Sequence, residues 1–122
     1  MAASSRTPRI LVVEDQMLIG MEIVAMLEDI GYRTVGPLGR LVTAMLAVRK
    51  EQFDAALLDI DLHGESVEPI AALLTDRGVP FAFVSGHARE RLPPGLRDRP
   101  FVTKPFTQES MRAAVLALCP AA

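Results

Sequence analysis

Five short apolar runs, each bounded by polar or chain-breaking residues, recur at Ile10–Val13, Tyr32–Val35, Ala55–Leu58, Phe81–Val84 and Phe101–Val102. The longer ones lack the polar alternation of a half-solvated strand, which predicts strands covered on both faces, as in a parallel sheet. Between them the apolar spacing changes to three and four, predicting helices over Leu18–Ile30, Leu41–Lys50 and Val67–Arg77, the first and third followed by Gly31 and Gly78 where a helix end favours glycine. Thr107, Glu109 and Ser110 open a last helix, Met111–Leu118, which Pro120 ends. A shorter fourth helix, Ala88–Leu92, must stop at Pro93-Pro94-Gly95. Strand and helix thus alternate, which predicts an α/β fold: a doubly wound five-stranded parallel sheet of order 2-1-3-4-5, with helices on both faces and a short fourth helix. The expected organisation is a tail over 1–8, one domain over 9–119 and a tail over 120–122.

Composition removes several function classes. A chain of 122 residues, half apolar and 23% charged, is long enough for one stable core without disulfides or a structural metal. Cys119 is the single cysteine, which fits a reducing cytoplasm. A net charge of −2 argues against nucleic-acid binding, and the longest apolar stretch, Ala113–Cys119, is far too short to span a bilayer. The N-terminal residues lack the apolar run of a signal peptide. Bases are lopsided, eleven arginines against two lysines, Lys50 and Lys104, so each lysine invites a question. Met17, Met21 and Met26, at helical spacing, are read as core packing.

The chemistry collects by position. Glu14-Asp15, Asp59 and Ser85 each follow directly on an apolar run and Lys104 follows one after Thr103, hence each sits at the carboxyl end of a strand. That edge is where open α/β sheets bind ligands, so residues ninety positions apart converge on one crevice. Crowded carboxylates raise one another's pKa unless a cation neutralises them. A hard divalent ion suits oxygen ligands, and Mg²⁺ suits a site that keeps positions for water and phosphate oxygens. A lysine opposite supplies a point charge for an anion the metal also touches. This combination describes a phosphoryl site in which a carboxylate can itself be the nucleophile, with Asp59 the candidate acceptor.

Over Arg9–Leu118 the sequence resembles the receiver domains of bacterial two-component response regulators, on Val12-Val13-Glu14-Asp15, Leu57-Leu58-Asp59-Ile60-Asp61, Val84-Ser85-Gly86 and Thr103-Lys104-Pro105-Phe106, four motifs in order. The resemblance implies that Asp59 takes a phosphoryl group from phosphohistidine on a sensor histidine kinase or histidine phosphotransfer protein. It implies Mg²⁺ held by Asp15, Asp59 and the backbone carbonyl of Asp61, with Glu14 acting through metal-bound water. Lys104 would pair with the phosphoryl oxygens, Ser85 would hydrogen-bond one of them, and Phe101 would be the switch aromatic. Asp61 and His87 would tune dephosphorylation, and Lys104–Pro105 is a candidate cis bond. Ser85 and Phe101 stand where threonine and tyrosine are common in the family. Phe83, Ser85 and Gly86 also loosely resemble single-domain receivers with a Phe-Ala-Thr-Gly motif, some of them associated with stress signalling.

Other readings fit less well. Asp59, Asp61 and Gly64 also open a calcium-loop pattern, which fails at its twelfth position, Ile70, where a bidentate glutamate is needed. Asp59-x-Asp61 suits a haloacid-dehalogenase phosphatase, but that family needs a larger chain with its nucleophile near the N-terminus. A degenerate receiver acting only as an interaction domain is opposed by the intact acid and lysine set. His63 and His87 are read as surface histidines without a metal. Taken as a whole protein, the 122 residues leave no room for an output domain, so a cytoplasmic signalling module working through protein contacts is expected, not an enzyme of metabolites.

Overall fold

A computed structural model describes residues 7–120 apart from 87 and 88; the side chain of Asp61 is also outside the description. Strands β1 (Arg9–Val13), β2 (Arg33–Leu38), β3 (Ala55–Asp59), β4 (Phe81–Ser85) and β5 (Phe101–Thr103) form one parallel sheet in the order β2-β1-β3-β4-β5. This is the doubly wound arrangement expected from the apolar runs. Helices α1 (Met17–Ile30) and α4 (Gln108–Leu118) cover one face, α2 (Leu41–Lys50) and α3 (Glu68–Asp76) the other.

The alternation of the strands divides the core in two. Leu11, Val13, Ala56, Leu58, Phe81 and Phe83 meet Ala44 and Val48 of α2 and Ile70, Ala71 and Leu74 of α3. Ile10, Val12, Ala55, Leu57, Ala82, Val84 and Val102 meet Ile23 and Leu27 of α1 and Met111 and Val115 of α4. Burial of both faces of β3 and β4 is why their sequences show no polar alternation.

Helix ends follow local chemistry. Gly31 takes φ 117° at the end of α1, the left-handed conformation glycine adopts without a Cβ penalty. Thr107 and Ser110 form a reciprocal cap on α4, with Ser110 in the role a glutamate more often fills, so that helix begins at Gln108, three residues before the expected Met111. Edge strand β2 continues past Val35 to Leu38 because an edge position spares Pro37 a ladder hydrogen bond. A register shift between Leu11 and Val13 absorbs Gly36, and the Gly36–Pro37 and Lys104–Pro105 bonds are both cis.

Two expectations are corrected. The fourth helix, expected over Ala88–Leu92, is absent among the described residues; two single 3₁₀ turns, Arg89–Arg91 and Pro94–Leu96, stand there instead. Pro93 and Pro94 lack the N–H groups a longer helix needs. Arginines take over the bonding: Arg89 Nη1 donates to the carbonyls of Arg97 and Arg99 at 2.6 and 2.7 Å, and Arg97 donates back to those of Leu92 and Glu90. Met17 and Met21 are not core: they are 58% and 56% exposed beside Leu18 at 84%. The inward stripe of α1 is Gly20, Ile23 and Leu27, and only Met26 of the three methionines packs against the core.

Candidate functional site

Strand register brings the expected residues to one edge. Asp59 and Ser85 are the last residues of β3 and β4, and Glu14-Asp15 follow β1. The backbone N–H of Lys104 donates to the carbonyl of Ser85 at 2.8 Å, which sets the lysine beside β4 at the end of β5. Glu14, Asp59 and Ser85 are the buried polar side chains among the described residues.

Three carboxylates, from Glu14, Asp15 and Asp59, offer oxygens all within 4.8 Å of one another. Lys104 Nζ lies 2.8 Å from Glu14 Oε1 and 3.5 Å from Asp59 Oδ2, at the inner side of the cluster. One ammonium cannot neutralise three carboxylates, so the set carries excess negative charge. Glu14 Oε2 accepts the N–H of Gln16, whereas buried Oε1 has the lysine charge near it but no aligned hydrogen-bond donor among the described residues. Three converging acids, one of them with a buried oxygen faced by the lysine charge, are a donor set that fits a hard divalent cation.

Asp15 is steadied from outside the strand edge. Burial pushes its pKa up, but the backbone N–H of His63 at 2.9 Å, the Glu14 side chain and the His63 ring outweigh it, and the carboxyl titrates below its ordinary range. His63 stands at the turn of a small hairpin, Asp61–Leu62 against Glu65–Ser66, which follows β3 directly. The role of His63 was missed in the sequence, where it reads as a loop histidine; the signal available was His63-Gly64 between two apolar-anchored segments, Leu62 and Val67 both being buried.

Phe101 is half-buried, and Arg89 Cζ lies 5.0 Å from the centroid of its ring. Of the remaining expected site residues, Asp61 contributes its backbone to the hairpin, while its side chain and all of His87 lie outside the described residues.

No protein-family profile matches the chain. Solved structures do. The solution structure of SdrG from Sphingomonas melonis Fr1 is 36% identical, with a TM-score of 0.82 over 92% of this chain and 96% of that one. The PhyR response regulator REC domain of Erythrobacter litoralis is 29% identical, with a TM-score of 0.82 over 94% and 92%. The chain is a response regulator receiver domain. Its fold is also that of the receiver domain of sensor histidine kinase PA1611 from Pseudomonas aeruginosa PAO1, a structure with magnesium coordinated in the active site cleft, at 22% identity and a TM-score of 0.75 over 93% and 98%. The receiver is 31% identical over 125 residues to the sensor protein GacS of Pseudomonas syringae pv. syringae, and spans 14% of that protein's length. Among its described residues no helix is long and apolar enough to cross a membrane.

Proposed function

We propose that this receiver is a phosphorelay module that accepts a phosphoryl group on Asp59 from a phosphohistidine donor, with Mg²⁺. The observation that carries the reading is the convergence of Glu14, Asp15 and Asp59 with Lys104 at the carboxyl edge of the sheet. A carboxylate oxygen of Asp59 attacks phosphorus, the bond from phosphorus to the donor's imidazole nitrogen breaks, and its electron pair stays with that nitrogen. Asp15, Asp59 and the backbone carbonyl of Asp61 would hold the cation, with Glu14 reaching it through water. Once bound, it supplies charge neutralisation for carboxylates and phosphoryl oxygens that would otherwise repel.

Lys104, already between Glu14 and Asp59, pairs with a phosphoryl oxygen, and the Ser85 hydroxyl hydrogen-bonds another. Phe101 then reports the change to the surface. Asp61 and His87 set the lifetime of the phosphoryl group, which ends when water attacks phosphorus and Asp59 departs as the leaving carboxylate. The receiver therefore catalyses only its own phosphorylation and slow hydrolysis. A donor would dock over the exposed Met17, Leu18 and Met21, beside a recess of about 310 Å³ lined by Ile19, Glu22, Lys104, Pro105 and Phe106. That surface suits a sensor histidine kinase or histidine phosphotransfer protein, in the cytoplasm.

The test is phosphotransfer from a phosphorylated histidine phosphotransfer domain or a small acyl phosphate, followed by intact mass. A Mg²⁺-dependent adduct on the wild type and none on Asp59→Asn is expected. An adduct that persists in Asp59→Asn, or forms equally in excess chelator, would contradict the proposal.

A further inference from the structure

The hairpin after β3 turns in two residues, His63 and Gly64, between the paired Leu62 and Glu65. Both take positive φ, 50° and 82°, the signature of a primed turn whose twist matches a two-residue hairpin. His63 is the one non-glycine residue with positive φ among the described residues, in a region that L side chains avoid. The consequence of that conformation is specific: it aims the His63 N–H at Asp15 Oδ2, 2.9 Å away and forty-eight residues earlier in the chain. The imidazole itself is 59% exposed, with Nδ1 3.9 Å from the same oxygen, beyond hydrogen-bonding distance.

We propose that the His63–Gly64 turn is a positioning element for Asp15, acting through a main-chain N–H that holds the carboxylate against Glu14 and Asp59. The inference rests on the reading of those three acids as a cation site and adds what orders one of them. An aspartate just past the end of a strand, 17% exposed, is free to swing toward solvent; one oxygen fixed by a backbone donor stops that swing. Leu62 on one side and Val67 on the other are buried anchors, so the donor is carried on a fixed scaffold. Because the contact is made by the backbone, the side chain at position 63 matters to the placing of Asp15 through its tolerance of positive φ, the imidazole adding a coulombic effect and no hydrogen bond.

Substitutions that separate these two properties test the proposal by Mg²⁺ titration of the full chain, followed by amide NMR shifts, with thermal melting as the check on folding. His63→Asn and His63→Gly accept positive φ without an imidazole, and should bind Mg²⁺ within about twofold of wild type. His63→Val disfavours that conformation and should weaken binding roughly tenfold, as removal of an outer partner of a metal ligand does. If His63→Val does not fold, Gly64→Ala takes its place: no atom lies within 4 Å of the added Cβ, so its strain arises from φ alone. Wild-type affinity in the φ-restricting variant, or an equal loss in His63→Gly, would overturn the proposal. Asp15→Ala separates the two readings, since unchanged Mg²⁺ affinity there would refute the cation site itself.

Discussion

Asp59→Asn should stabilise the metal-free receiver. Asp59 is buried, its carboxylate lies within 4.8 Å of those of Glu14 and Asp15, and the charge opposing them is Lys104, 3.5 Å away. At an effective dielectric of about 20, each like-charge pair at that separation costs about 3–4 kcal/mol, and the lysine returns about 5 kcal/mol. The balance is about 2 kcal/mol against the charged aspartate, which the partly open rim of the site screens to about 1–2 kcal/mol. Asparagine keeps the shape and removes the charge. In excess chelator its melting temperature should rise by roughly 3–8 °C, from the usual entropy of unfolding for a chain of this size. Added Mg²⁺ should close the gap: at ten times its Kd a ligand stabilises by about 1.4 kcal/mol, and Asp59→Asn has lost a ligand charge. Paired melts with chelator and with Mg²⁺ are the assay. Equal or lower stability of Asp59→Asn in chelator would refute the electrostatic argument, and an equal Mg²⁺-induced shift in both proteins would remove Asp59 from the cation site.

Three further outcomes are expected. Gly20→Ala places a Cβ 2.5 Å from Pro37 Cβ and 2.7 Å from its Cγ, in a rigid ring on the edge strand, so a loss of about 1–3 kcal/mol should appear as a lower urea midpoint; an unchanged midpoint would contradict it. Arg89→Gln removes the donor to Arg97 and Arg99 and the cation over Phe101, so hydrogen exchange at Leu92, Leu96 and Arg99 should accelerate while α1 keeps its protection; unchanged exchange would show that the segment is held without it. Burial, with a smaller contribution from the Asp54 carboxylate, pushes the Cys119 thiol above its ordinary pKa, so the folded protein should alkylate more slowly than a free small thiol near neutral pH, its rate rising steadily as pH approaches the folded pKa. The sign for stability follows: this contribution is full below the thiol's ordinary pKa and is lost as pH rises through the folded value. Alkylation as fast as a free thiol at pH 7.5 would refute the shift.

What was legible in the sequence is what depends on periodicity. Strands buried on both faces announce themselves by unbroken apolar runs, and residues directly after such runs must lie on one sheet edge, so Glu14, Asp15, Asp59, Ser85 and Lys104 could be grouped from their spacing. What was not legible depends on contacts between distant side chains and the backbone. The arginine bonds that replace a fourth helix link Arg89 to carbonyls eight and ten residues on, beyond any local pattern. Met17 and Met21 share the spacing of a core stripe but fall to one side of the face set by Gly20, Ile23 and Leu27. The His63 donor to Asp15 spans forty-eight residues and uses a main-chain group common to every residue but proline, so His63-Gly64 can suggest the turn but not the carboxylate it holds.

The measurement that bears most directly on the central claim is the location of the phosphoryl bond. After phosphorylation with Mg²⁺ and an acyl phosphate, borohydride reduction converts an acyl phosphate on aspartate to homoserine, which peptide mass spectrometry can place. The account predicts homoserine in place of Asp59, dependent on Mg²⁺ and greatly diminished in Lys104→Ala, whose ammonium is the cation beside Asp59 in the structure. Homoserine in place of Asp15, or at an aspartate outside the strand edge, would contradict it, as would full labelling of Asp59 in excess chelator.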